Sequence, residues 1–372
     1  MIYVSSHFDS GNIDCIAADD PTDVQLEIRR DAGENHFQWF HFRVTGARDI
    51  ALSLRILNAD KASYPKAWEG YQACASYDRD DWFRVETDYQ NGVLVLRHTP
   101  EYDSVYYAYF APYPLDRHAA LLSEAQASDG VRLRRLGATA DGRDLDLLQI
   151  GEAPLRCWIV ARQHPGETMA EWLVEGLLDR LLDSSDPVAR RLRERAAFYV
   201  VPNMNPDGSA RGHLRNNATG ANLNREWETP SLDRSPEVYL VREQMRATGV
   251  DFFLDVHGDE TLPYNFIAGA EGIPSWTDAH QARQSRYLDA LTLANPDFQT
   301  KVGYPRPPVG KANMTMASNW VGENFSCLAM TLEQPFKDTI DSPHPAGWSP
   351  ERAKKLGAAQ LDALLRVLDD LR

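Results

Sequence analysis

The chain has 372 residues, 43% of them hydrophobic and 25% charged, with a formal net charge of −15. This length favours two domains, each able to bury a core. The acidic balance excludes general binding to nucleic acid or anionic membranes, which needs a positive footprint. Apolar runs such as CWIVA at 157–161 are too short to span a membrane. The start, MIYVSSHFDSGNIDC, lacks the basic and apolar regions of a secretory signal. Cys15, Cys74, Cys157 and Cys327 form no C-x-x-C pair, so reduced thiols in a cytoplasmic protein are expected.

The first hundred residues read as strands. FQWFHFRV (37–44), ALSLRILNA (51–59), GVLVLRH (92–98) and VYYAYFAPY (105–113) are rich in aromatic and β-branched residues with partial alternation. No convincing helix interrupts them, which predicts an antiparallel β-sandwich over 1–114. Pro112 and Pro114 then punctuate the chain. From residue 115 to 372 short apolar strands alternate with helical patterns. RCWIVA precedes the helix AEWLVEGLLDRLL, AAFYVVP (196–202) follows, and Ser235-Pro236 opens another helix. DFFLDV (251–256) and SCLAMTLE (326–333) read as strands, and Ser349-Pro350 starts a last helix. This rhythm predicts an α/β/α domain with a mixed, mostly parallel sheet.

In such a sheet ligands bind beyond the carboxyl ends of the strands. The polar residues there are His164 and Glu167 after CWIVA, NMNPDGSARGHLRNN after AAFYVVP, His257-Gly258-Asp259-Glu260 after DFFLDV, and Glu333. Two histidines, one carboxylate and a fourth position left to water make a catalytic zinc arrangement. Zinc lowers the pKa of bound water from 15.7 to roughly 7. A nearby free carboxylate must then move the proton, and Glu333 is the candidate. Read singly, each piece has a plainer alternative: a chance H-x-x-E, a histidine at a strand end, a carboxylate paired with an arginine.

The set H-P-G-E (164–167), N-P-D-G (205–208), L-N-R-E-W (223–227) and T-L-E (331–333) resembles the carboxypeptidase A-type zinc metallocarboxypeptidases. The stretches HFQWFHFRV, ILNADKASYPKAWEGYQACASYDRDDWFRV and YYAYFAPYPLDRHAALL resemble the β-sandwich domain of the cytosolic carboxypeptidase branch. The resemblance implies one zinc per chain on His164, Glu167 and His257, with Glu333 as general base. It implies that Arg215 polarises the scissile carbonyl, and that Asn224 and Arg225 grip the terminal carboxylate of a peptide or protein tail, a task suited to a guanidinium fork. One departure is Asn222, where the broad family has an Asp that orients a zinc-bound histidine; an amide oxygen can accept the same hydrogen bond without the charge. Tyr304 and Tyr264 both remain candidates for the family's mobile tyrosine.

Two windows carry cations without acids: 208–225, with Arg211, His213, Arg215 and Arg225, and 298–322, with Lys301, Arg306 and Lys311. The second lies where the family builds its side-chain pocket. Arg306 and Lys311 there predict a preference for C-terminal Glu or Asp; the alternative is an exposed loop. Two other functions stay open: a zinc deacylase of N-acyl amino acids on the same scaffold, and a non-catalytic binding module. A serine hydrolase, a P-loop and a dinucleotide fold lack their motifs.

Overall fold

The structure, a computed structural model, describes residues 1–33 and 36–371. The first part of the chain holds β1 (Tyr3–Ser5), β2 (Asp14–Ala17), β3 (Val24–Glu27), β4 (His41–Thr45), β5 (Leu52–Ile56), β6 (Cys74–Ser76), β7 (Phe83–Arg84), β8 (Glu86–Gln90), β9 (Val93–His98) and β10 (Ser104–Ala108). They form two five-stranded sheets, ordered β1-β4-β10-β6-β7 and β2-β3-β5-β9-β8. The strand β5 buries Leu52, Leu54 and Ile56 and leaves Ser53 and Arg55 half-exposed, the period of two that a strand covered on one face requires. Pairing is antiparallel, as expected of the sandwich, except that β3 and β5 run parallel because the chain visits the other sheet as β4 between them.

Two expected strands are shorter than their apolar runs. Residues 37–40 leave the ladder because the Gln38 side chain bonds both the N–H and the C=O of Tyr64. Beyond Ala108, the carbonyl of Ala111 is taken by Thr168 and Trp172, and that of Tyr113 by Arg162. These buried C=O groups face the following domain instead of a neighbouring strand.

The rest of the chain carries α1 (Leu115–Gln126), β11 (Val131–Ala138), β12 (Asp144–Ala161), α2 (Met169–Leu181), α3 (Pro187–Arg195), β13 (Ala196–Val201), α4 (Pro206–Arg211), α5 (Pro236–Thr248), β14 (Phe252–Val256), β15 (Phe266–Gly269), α6 (Asp278–Ala294), α7 (Ala317–Phe325), β16 (Leu328–Glu333) and α8 (Pro350–Val367). The sheet runs β11-β12-β14-β16-β15, with β13 paired to β12. The β12–β13, β12–β14 and β14–β16 pairs are parallel, whereas β11 and β15 join antiparallel. Every residue of β13, β14 and β16 is buried, which is why they read as continuous apolar runs. The strand β12 is much longer than RCWIVA: its first half pairs with β11, and its register shifts near Pro154 before it joins β14.

The two parts are not separately cored. One hydrophobic cluster runs from Val24, Phe42 and Tyr109 through to Leu173, Met330 and Phe336. Phe336 stacks on Tyr109 with centroids 4.4 Å apart, and Arg84 donates to the carbonyls of Phe336 and Trp348.

Away from the strand ends, Glu237 in the first turn of α5 is fully buried and accepts from Asn217 at 3.2 Å. Burial pushes its carboxyl up to about 7, from 4.5. The folded state therefore keeps a proton that the unfolded chain has released. The resulting stability is complete below pH 4.5 and lost as pH rises through 7. Glu237→Gln is expected to raise stability by about 2–3 kcal/mol more at pH 8 than at pH 4.5, read from chemical denaturation at both pH values.

Candidate active site

The carboxyl ends of three adjacent parallel strands deliver the site. His164 follows β12, His257 follows β14, and Glu333 is the last residue of β16. His164 Nδ1 stands 2.6 Å from Glu167 Oε1, and His257 Nδ1 stands 2.7 Å from Glu167 Oε2. The two Nδ1 atoms are 3.1 Å apart, and all three residues are buried.

The outer nitrogens are also engaged. His164 Nε2 lies 3.0 Å from the Asn222 amide oxygen, and His257 Nε2 lies 3.0 Å from Asp255 Oδ2. With both Nε2–H groups donating outward, both Nδ1 lone pairs and the carboxylate converge on one point. Three acceptors facing each other without a donor is the chemistry of a cation site, and these three residues could hold a metal ion. Burial brings His164 down to about 3, whereas at His257 Asp255 and Glu167 outweigh burial and hold the imidazole well above its ordinary range, so a cation bound there would displace a proton.

The ligand loop is held in an uncommon shape. Arg162, 1% exposed, has a left-handed φ of 58°, which turns the chain sharply after β12. Its guanidinium donates to the carbonyls of Pro165 and Tyr113 and to Glu171 Oε2 at 2.7 Å. Glu171 also meets His118 Nδ1 at 2.6 Å and accepts from Asn203. The N-P-D-G motif packs underneath. Asn205 caps α4 by accepting from the Gly208 N–H and donates to Gln163 O. A Cβ on Gly208 would stand 2.4 Å from Pro165 Cγ and 2.6 Å from Asn216 O, so only glycine fits.

These residues open onto a cleft of about 370 Å³, lined on its walls by Arg215, Asn224, Arg225 and Glu333. Glu333 is buried, with no hydrogen-bond partner for Oε2 among the described residues. Burial holds its carboxyl well above the usual range; His257 opposes this, and Glu167, Asp259 and Glu260 reinforce it. Burial disfavours the Arg215 charge, yet Tyr64, Glu260, Glu167 and Glu333 together keep it above its ordinary range. Asn224 is buried and accepts from the Ala317 N–H, while Arg225 is exposed and donates to Asn224 O.

Tyr304 lines the cleft, and its hydroxyl donates to Asp259 Oδ2 at 2.6 Å; Tyr264 is not among the lining residues. Arg306 and Lys311 are not brought to the cleft. Arg306 is largely exposed and faces Glu271 at 3.4 Å, and Lys311 is exposed, since the proline-flanked loop turns them outward past Tyr304.

The chain's match to known proteins is extensive. The cytosolic carboxypeptidase N-terminal domain matches residues 4–110, and the zinc carboxypeptidase domain matches residues 120–338. The chain belongs to the zinc carboxypeptidase family. Its activity class is accordingly that of a metallocarboxypeptidase. A metallo-carboxypeptidase from Burkholderia cenocepacia is similar at 47% identity, with a TM-score of 0.97 over 100% of both chains. A second from Pseudomonas aeruginosa, solved with (2-guanidinoethylmercapto)succinic acid, is 46% identical with a TM-score of 0.96 over 100% of both. Human cytosolic carboxypeptidase 1 is 30% identical over 289 residues, 64% of this chain and 23% of that protein. The chain thus spans about a quarter of that longer relative.

Several neighbours of the candidate site are given no role by the sequence motifs, Glu260 standing there only as the last member of the polar run after β14. Asp255 carried a signal, being the one charge inside an apolar strand two residues before His257. Arg162, between an apolar strand and the H-P-G-E motif, carried a weaker one. Glu260, 6% exposed, lines the cleft with Oε1 unpartnered among the described residues, and burial beside Glu167 pushes it up to about 8. Tyr64 and Asp31 carried none, because they reach the site from the β-rich part of the chain.

Proposed function

We propose that the protein removes single C-terminal residues from peptides or protein tails, with one zinc held by His164, Glu167 and His257. The observation that carries this reading is the buried convergence of two imidazole lone pairs and one carboxylate in the cleft that also contains Glu333 and two arginines. Held by these three residues, zinc would supply Lewis acidity and would bring the pKa of water from 15.7 to about 7. Glu333, aimed into the cleft with a free oxygen, accepts the proton of the attacking water and passes it to the leaving amine nitrogen. Arg215 donates to the scissile carbonyl oxygen as negative charge develops on it. Arg225 and Asn224 receive the terminal carboxylate, and the Tyr304 hydroxyl, on an exposed loop at the cleft, covers the bound residue.

The succinic acid derivative bound by the Pseudomonas aeruginosa relative carries two carboxylates, the chemistry that a metal flanked by arginines would hold. The preference for Glu or Asp ends has less support. Arg306 and Lys311 do not line the cleft, and its cations are Arg215 and Arg225. No feature of the cleft favours the deacylase or the binding module.

The test is mass spectrometry of peptides ending in Glu, Asp, Leu, Phe, Lys or Arg after incubation with zinc-loaded protein. Stepwise loss of single C-terminal residues is expected. Arg306→Ala and Lys311→Ala should stay within about twofold of wild type on every ending, as exposed residues away from a site do. No trimming of any peptide with one zinc bound per chain would overturn the reading.

A further inference from the structure

We propose that Asp31, in the β-rich part of the chain, is a positioning residue for Arg215, so that the arginine at the scissile carbonyl is placed from across the seam between the two parts. The proposal rests on the role given to Arg215 above. Asp31 is 2% exposed and lies more than 180 residues from its partners in sequence. Its Oδ1 accepts from the Leu214 N–H at 2.7 Å, and its Oδ2 accepts from the N–H groups of Arg215 at 2.7 Å and Asn216 at 2.9 Å. Three consecutive backbone donors closing on one anion form a nest, which a carboxylate fills and a neutral side chain does not.

The contact is supported on both sides. Asp31 donates its own N–H to His36 O at 2.8 Å, and Ala32 O accepts from the Asn216 side chain at 3.0 Å. Gly33 and Gly220 both have left-handed φ, and a Cβ on either would stand 3.0–3.2 Å from the other's Cα, so the two loops touch backbone to backbone. From the opposite direction, Leu214 O accepts from the Gly166 N–H at 2.9 Å, within the H-P-G-E loop.

Leu214 is therefore pinned by Asp31 through its N–H and by the ligand loop through its C=O. Arg215, the next residue, starts from a point fixed relative to His164 and Glu167. Asp31 reaches Arg215 through the backbone N–H, which leaves the guanidinium to the cleft, where Tyr64 from the same β-rich part lies 5.8 Å away. The β-sandwich thereby enters the chemistry without touching the reacting atoms. An arginine displaced by about 1 Å can cost some 10²-fold in rate.

The experiment is a double-mutant cycle on zinc-loaded full-length protein. It reads kcat, KM, bound zinc and melting temperature for wild type, Asp31→Asn, Arg215→Ala and the double variant. Asp31→Asn keeps the shape but turns an NH₂ group toward backbone donors. It is expected to lower kcat by about 10–10²-fold, with KM and zinc content unchanged and with no further loss in the Arg215→Ala background. Asp31→Glu, which keeps the charge but shifts it by one methylene, should show the same pattern and serves if Asp31→Asn does not fold. Losses that multiply in the double variant, or an unchanged kcat in both Asp31 variants, would overturn the positioning role. An Arg215→Ala variant with wild-type kcat would instead remove Arg215 from the oxyanion, a separate failure of the reading beneath.

Discussion

Glu333→Gln is expected to lower kcat by about 10²–10⁴-fold, the range that positioned acid–base catalysis supplies. The substitution keeps the shape of the side chain and an oxygen at the end of β16, so the strand and its pairing with β15 should survive. What it removes is a carboxylate, buried and facing the cleft, whose Oε2 has no other partner among the described residues. Because Glu333 is not one of the three converging donors, bound zinc and KM are expected to stay at wild-type levels. Burial raises its pKa, so kcat/KM of the wild type should fall on the acid side as the base protonates. The residual rate of the variant should lack that limb. Stopped assays from pH 5 to 9, with zinc quantified in every sample, read all of this. A zinc-loaded variant keeping more than about a tenth of wild-type kcat would exclude Glu333 as the base.

Glu167→Gln is expected to abolish both stoichiometric zinc and turnover. Glu167 is the one anionic member of the converging set and bridges both imidazoles, with Oε2 also accepting from the Gly258 N–H at 3.0 Å. A glutamine retains the size and one acceptor, but it cannot offer a charged oxygen to a cation and leaves an NH₂ donor against an imidazole. In wild type, zinc at a thousandfold excess over Kd should add about 4 kcal/mol of stability, and in the variant the melting temperature should not respond. Asp255→Asn is the graded counterpart. It should weaken zinc about 10–100-fold by loosening the grip on His257, with activity returning at high zinc. Stoichiometric zinc in Glu167→Gln would dismiss the proposed ligand set.

Much of the centre was legible in the sequence because the α/β layout puts function at strand ends. His164, Glu167, His257 and Glu333 each stand at or just past a short apolar run, and the parallel sheet brings those ends side by side. The Asn222 amide oxygen lies 3.0 Å from His164 Nε2, the hydrogen bond that its place in the motif leads one to expect. Strand lengths were less legible. Residues 37–40 and 109–113 look like strands by composition, but their polar groups answer to partners far along the chain.

Local sequence determined the element types, the strand-end positions and the ligand chemistry, since periodicity and donor identity are properties of a few neighbouring residues. Only the tertiary structure decided that Arg306 turns away from the cleft, that Tyr304 rather than Tyr264 lines it, and that the β-rich part supplies Tyr64 and Asp31. Those outcomes depend on contacts between residues far apart in sequence and on the direction in which loops leave the sheet. Nothing in the spacing of Asp31 and Arg215 reports that three backbone N–H groups of one loop close on the carboxylate of the other.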